Sequence, residues 1–124
     1  PKTANAEIFE IKSLASAFLK EKQYNSFGII CKTSKQAEVL HHQLESEYKS
    51  ILLTESSDQF TNGIIISTAQ LAKGLEFDWV LVPFCNEKNY HSPIDKQLLY
   101  VSCTRAMHKL FISHTSNLTA FISV

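Results

Sequence analysis

Lys73, Gly74 and Glu76 stand close together in the run Ile66-Ser67-Thr68-Ala69-Gln70-Leu71-Ala72-Lys73-Gly74-Leu75-Glu76-Phe77-Asp78. One apolar run ends at about Ser67 and another begins at about Phe77, so the cation and the carboxylate occupy a turn between two predicted strands. The glycine gives that turn a backbone geometry, or a close approach, that a side chain would deny it. A lysine and a glutamate there are placed to meet a phosphate or a ribose; a solvated loop displays the same pair. Arg105 is the second candidate, in Gln97-Leu98-Leu99-Tyr100-Val101-Ser102-Cys103-Thr104-Arg105-Ala106-Met107 near a predicted helix end. A guanidinium is permanently charged and forks onto phosphate oxygens, which suits it to charge on a transferring phosphoryl group. An arginine that simply closes a helix C-terminus is the plain alternative. Taken singly, neither segment decides.

The elements that would position these residues follow from hydrophobic period. Ile8, Ile11, Leu14, Ala15, Phe18 and Leu19 recur at helical steps, with Asn5 available as a cap. Ala37, Leu40, Leu44 and Tyr48 do the same after a capping Ser34. Ser92-Pro93 before Ile94-Asp95 reads as a cap and a first-turn proline, with an acid near the positive end of the helix dipole. Short apolar runs lie at 27–31, 51–53, 64–66, 79–82 and 110–112. They do not alternate, as expected of strands buried on both faces of a parallel sheet. Glu55 to Asn62 and Asn86 to His91 read as loops. The order helix, strand, helix, three strands, helix, strand implies an open α/β sheet in a single domain over 1–124. Ligands of such sheets bind at the carboxyl ends of the strands, and the candidate residues are expected there.

Composition narrows the class. The 124 residues suffice for one compact domain, and 44% hydrophobic with 19% charged residues describes a folded chain. Lys and Arg total 12, as do Asp and Glu, so the net charge is zero and gives no electrostatic support for nucleic-acid binding. Cys31, Cys85 and Cys103 are widely spaced and read as buried free thiols of a reducing compartment. His41, His42, His91, His108 and His114 form no ligand set, and Trp79 reads as core. No apolar run approaches a membrane span. The start at Pro1, with no secretion signal and no initiator methionine, leads us to expect a processed or excised piece of a cytoplasmic protein.

Together the two segments say more than either alone. Ala-Lys-Gly-Leu-Glu-Phe-Asp at 72–78, followed by Leu-Tyr-Val-x-x-Thr-Arg-Ala at 99–106, closely resembles motifs V and VI of superfamily 1 helicases of the UvrD, RecD and HelD kind. Gly28-Ile29-Ile30-Cys31-Lys32-Thr33-Ser34-Lys35-Gln36-Ala37 looks like motif IV. The motifs then fall at about 27–37, 66–78 and 97–107. Cys31 stands where UvrD-like proteins often carry an adenine-stacking tyrosine, and Gln70 where they often carry histidine. Both differences move the resemblance towards HelD-like or RecD-like relatives.

The resemblance implies a RecA-like, P-loop-NTPase-like three-layer domain with a mostly parallel sheet, the second of the two motor domains of an ATP-dependent DNA helicase or translocase. Arg105 then matches an arginine finger that crosses a domain interface to the γ-phosphate. Glu76 matches the acceptor of a ribose hydrogen bond, with Gly74 beside it. Lys32 takes the place of a second γ-phosphate arginine, keeping the charge without the fork. Thr68, Gln70 and Lys73 fall where the family meets single-stranded DNA, RNA not being excluded, and couples it to ATP. No Gly-x-x-x-x-Gly-Lys-Ser/Thr loop exists in the chain. The phosphate cradle and the magnesium of the Mg-ATP cofactor are therefore implied to lie on an N-terminal RecA-like partner domain, and this domain alone should be inactive. A HelD-like relative would add RNA polymerase as a partner. The alternative is a non-catalytic α/β interaction module that keeps the motifs as relics.

Overall fold

The computed structural model describes residues 3–55 and 62–122. The predicted order of elements is present in full: α1 Ala4–Lys20, β1 Ser26–Cys31, α2 Ser34–Leu44, β2 Ser50–Leu52, β3 Gly63–Thr68, β4 Phe77–Val82, α3 Pro93–Cys103 and β5 Ala106–Ile112. The five strands form one sheet in the order β2-β3-β1-β4-β5, and every pairing is parallel.

The helix starts differ from the sequence reading. Thr3 rather than Asn5 caps α1, its hydroxyl accepting from the Ala6 N–H. Thr33 rather than Ser34 caps α2, and Gln36 completes a capping box; Ser34 is the first helical residue. Either side chain in each pair is a competent cap, and only a residue in extended backbone reaches the free amides. Ser92 caps α3 as predicted, with Pro93 opening the helix and Asp95 closing a second capping box. Helix α2 ends at Leu44, so Tyr48 reaches the core from the following turn. Of the predicted loop Glu55 to Asn62, all but the two ends lies outside the described residues.

The non-alternating strands are sandwiched, as continuous apolar runs require. On one face Ile11, Ala15 and Phe18 of α1 and Ala37, Leu40 and Leu44 of α2 pack on Phe27, Ile29, Ile66 and Leu81. On the other, Ala69 and Ala72 of the β3–β4 crossover and Leu99 of α3 pack on Ile30, Ile65, Phe77 and Val80. Trp79 is buried in the first cluster, its ring steeply inclined to those of Phe18 (65°) and Phe27 (76°). Glu7 is buried too. Its carboxylate accepts from the Phe84 N–H and from the Ser113 hydroxyl, both at 2.7 Å, so the first turn of α1 is tied to the segments that follow β4 and β5.

Candidate functional site

Segments 66–78 and 97–107 meet at one edge of the sheet. The two crossovers that lead into β4 and β5 both run back against the strands, so each delivers its last residues to the amino end. Phe77 pairs with Ala106, and the Phe77 N–H donates to the Arg105 carbonyl at 2.9 Å. The Arg105 side chain donates from Nε to the Val101 carbonyl (3.1 Å), from one terminal nitrogen to the Leu75 carbonyl (3.4 Å) and from the other to the Thr104 hydroxyl (3.3 Å). All three acceptors are neutral. Among the described residues no carboxylate forms an ion pair with Arg105. A register shift between Phe77 and Trp79 bulges the ladder beside it, a device that commonly re-aims chain next to functional sites.

Glu76 is exposed one residue beyond the carbonyl that Arg105 holds, and Lys73 and Gly74 are exposed just before it. Gly74 has φ +82°, the left-handed backbone for which the sequence demanded a glycine. The expectation that every candidate lies at the carboxyl ends is therefore corrected for Glu76 and Arg105, which belong to the amino ends of β4 and β5. The geometry of parallel crossovers is the reason.

The carboxyl ends hold Thr68, Gln70 and Lys32, whereas Lys73 and Gly74 lie with Glu76 on the approach to β4. Thr68 ends β3 and is buried; its carbonyl accepts from the Ala72 N–H and its hydroxyl from the Leu71 N–H. It thus starts the tight crossover that carries Lys73 and Glu76. Gln70 is exposed and, with Thr68, Ser34, Glu38 and Leu53, lines an open cleft of about 610 Å³.

Lys32 follows β1 at the point where α2 leaves the sheet on one side and α3 covers the other. Its ammonium lies 2.8 Å from Asp95 Oδ1, donates to the Asn89 carbonyl and stands 5.8 Å from the centre of the Tyr90 ring. The Asp95 side chain is only 8% exposed. Burial pushes its carboxyl up, but the Lys32 ammonium, the His91 and Ser92 N–H groups and the Ser92 hydroxyl outweigh that and hold it below the usual carboxylate range. A depressed carboxyl adds stability above its unfolded pKa and loses it as pH falls through the folded value. We expect unfolding free energy to begin falling below about pH 4, the unperturbed carboxyl value. In Lys32→Met the folded carboxyl rises towards its unfolded value, so stability near neutral pH should be lower but the further loss below about pH 4 should shrink. Denaturant melts across the acid range check this; an acid limb of unchanged size would show that Asp95 does not depend on the lysine.

Burial, with a smaller effect from Glu7, pushes the Cys31 thiol up to about 12, and burial raises Cys85 and Cys103 as well. None is a nucleophile near neutral pH. His41 bonds the Ser50 hydroxyl and His42 pairs with Glu45, so the adjacent rings serve different partners. Among the described residues no group of three or more His, Cys, Asp or Glu could hold a metal ion, and no helix is long and apolar enough to cross a membrane.

Comparison with known proteins decides the family. The family of UvrD-like helicase C-terminal domains matches residues 47–117. The chain belongs to it. A structure described as the C-terminal domain of a possible DNA helicase from Lactobacillus plantarum WCFS1 is similar at 30% identity and TM-score 0.83, over 98% of this chain and 73% of that one. Two remoter structures share the fold of this UvrD-like domain. The C-terminal part of the Fun30 ATPase domain has 15% identity and TM-score 0.61, over 90% of this chain and 42% of that one. The C-terminal domain of the DEAD-box protein Dbp5 has 18% identity and TM-score 0.57, over 90% and 71%. The three-layer α/β fold is thus that of RecA-like helicase C-terminal domains. A search of curated proteins finds no match. The family match takes in both segments that meet at Arg105 and leaves out 27–37, the stretch with Lys32.

The partners that these side chains contact were not legible in the sequence. Asp95 was visible as an acid in a first helical turn, but its claim on Lys32 is a contact across 63 positions of chain. Asn89 and the Leu75 carbonyl act through main-chain oxygen, which no residue type announces.

Proposed function

We propose that this domain is one wall of an ATP site completed by an N-terminal RecA-like partner domain, in a helicase or translocase acting on single-stranded DNA. One observation carries the reading: Arg105, charged and without an anionic partner among the described residues, is held on the Leu75 carbonyl beside exposed Glu76. A guanidinium so placed is available to a transferring phosphoryl group, and a carboxylate one residue along is available to a ribose. The sequence carries no Gly-x-x-x-x-Gly-Lys-Ser/Thr loop, so the partner domain would hold the triphosphate and its magnesium. These 124 residues alone are then expected to hydrolyse no ATP. When bound, ATP would supply the phosphoryl group; Arg105 would stabilise the charge that develops on it, and Glu76 would orient the sugar.

Thr68, Gln70 and Lys73 lie on the single crossover that ends in Glu76. Movement at the nucleotide would reach the strand-facing side through that short turn, whose backbone hydrogen bonds from Ala72 to Thr68 and from Leu75 to Ala72 make it stiff. DNA as the polymer is supported by the description of the Lactobacillus plantarum relative. The zero net charge calls for few phosphate contacts from this domain, so most of the affinity would come from its partner.

Glu76→Ala in the full-length protein tests the nucleotide assignment. A ribose hydrogen bond is made in ground and transition states alike, so its loss removes uniform binding. The Michaelis constant for ATP should rise about tenfold, the worth of one charge-assisted hydrogen bond, while turnover changes little. A collapse of turnover at unchanged Michaelis constant would refute the ribose role.

A further inference from the structure

We infer that Lys32 is a positioning residue locked to Asp95, and that Arg105 is the one cation of the pair that this domain offers to a triphosphate. The inference rests on the shared ATP site proposed above and revises what the resemblance alone implies for Lys32.

The two cations stand in opposite electrostatic circumstances. Among the described residues Arg105 is satisfied only by neutral oxygens and keeps its charge for an incoming anion. Lys32 faces a carboxylate at 2.8 Å whose side chain is 8% exposed, and its own side chain is 22% exposed. That carboxylate also accepts from the His91 and Ser92 N–H groups, so it is held in place from the α3 capping box and cannot follow the lysine outwards. A phosphate that drew Lys32 away would leave a buried carboxylate without its ammonium, with only the exposed His91 ring 3.6 Å from its other oxygen, an unfavourable way to break such a pair. Of the three ammonium donors, two are already used, on Asp95 and on the Asn89 carbonyl.

The lock has a mechanical use. Asp95 lies in the first turn of α3 and Arg105 just past its last, and Arg105 bonds the helix at Val101. Lys32 joins the end of β1 to the start of the helix that carries the finger. Because α3 spans 11 residues, the ends are roughly 16 Å apart, and a shift at Asp95 is transmitted along a rigid rod. Lys32 thus acts on the nucleotide through α3.

The test uses the full-length protein with DNA-stimulated ATPase and a melting curve for wild type, Lys32→Met, Asp95→Asn and the double variant, with Arg105→Ala as the reference. Asparagine keeps an acceptor for the capping box while losing the charge. If Lys32 is a strut, each single variant should melt about 10 °C or more below wild type and turn over about tenfold more slowly. The charge-free double variant should regain most of both, to within about threefold in turnover, because neither charge is left unpaired. If Lys32 instead touches phosphate, Asp95→Asn frees it and keeps turnover, while Lys32→Met and the double variant lose turnover whatever their stability; that pattern overturns the inference. Should the double variant fail to fold, Asp95→Asn against Lys32→Met decides alone, since the two agree under one account and diverge under the other. A normal Arg105→Ala would instead sink the ATP-site reading, a separate outcome.

Discussion

Arg105→Ala should lower the ATP turnover of the full-length protein by a factor on the order of 10³ to 10⁵, the range seen when arginine fingers are removed from phosphoryl-transfer sites. The size follows from where the charge is used. A finger meets negative charge that develops in the transition state, so its removal falls on turnover, while ATP binding, resting on the partner domain, declines only modestly. Stability is the control. The side chain leaves three long hydrogen bonds to neutral acceptors that water can replace, worth about 0.5 kcal/mol each at the low end of the range or roughly 1.5 kcal/mol in all, so the melting temperature should move by only several degrees. Arg105→Lys should recover part of the loss, because an ammonium restores charge without reaching Leu75 and Val101 at once. The measurement is DNA-stimulated ATPase of the three proteins, with nucleotide affinity and a melt for each. An alanine variant that hydrolyses ATP normally, or that fails only by unfolding, would return Arg105 to the role of a helix-closing residue.

Much of this could be read from the chain because the informative signals are local. Ser92-Pro93 starts a helix by its own chemistry, and five apolar runs in the observed order leave few ways to build anything but a covered parallel sheet. Gly74 is likewise local: the turn needs a left-handed residue, and only glycine takes that backbone without strain. What stayed hidden depends on chain far away in sequence. Glu7 looks like an ordinary first-turn acid, yet it is buried because Phe84 and Ser113 present donors to it from the far ends of two strands. The pairing of Lys32 with Asp95 is hidden for the same reason. The placement of Arg105 and Glu76 at the amino ends was recoverable in principle: with every strand parallel, a crossover must end where the next strand begins.

Gly28→Ala should be the most damaging single methyl in the domain, and it should harm the site as well as the fold. Gly28 sits in the middle of β1, the central strand, paired with Ile65 on one side and Val80 on the other. A Cβ there would lie 2.6 Å from Phe77 Cδ2 and 2.7 Å from Cγ, far inside any tolerable contact. A glycine within a strand marks such a close approach, so the apolar run at 27–31 already carried the signal. The ring has nowhere to go: Phe77 is fully buried among Ala69, Ala72 and Leu99 on the α3 face of the sheet. Forcing it aside costs about 3 kcal/mol, the upper part of the range for overpacked cores, or roughly 10 °C in melting temperature. The displacement would not stop at the core, because the Phe77 N–H holds the Arg105 carbonyl and Glu76 is its chain neighbour. Turnover of the full-length variant, assayed well below its melting point, should therefore fall too, by about tenfold if Arg105 moves by even an ångström. Two comparisons isolate the cause. Gly63→Ala meets nothing within 4 Å and should lose only the 1–2 kcal/mol, roughly, of an unfavourable backbone at φ +109°, with turnover intact. Phe77→Leu added to Gly28→Ala should be less harmful than the two losses summed, since the smaller side chain vacates the space the methyl needs. A Gly28→Ala protein that melts within a degree or two of wild type would mean the ring has room to yield, and the proposed transmission from β1 to the arginine would have no mechanical basis.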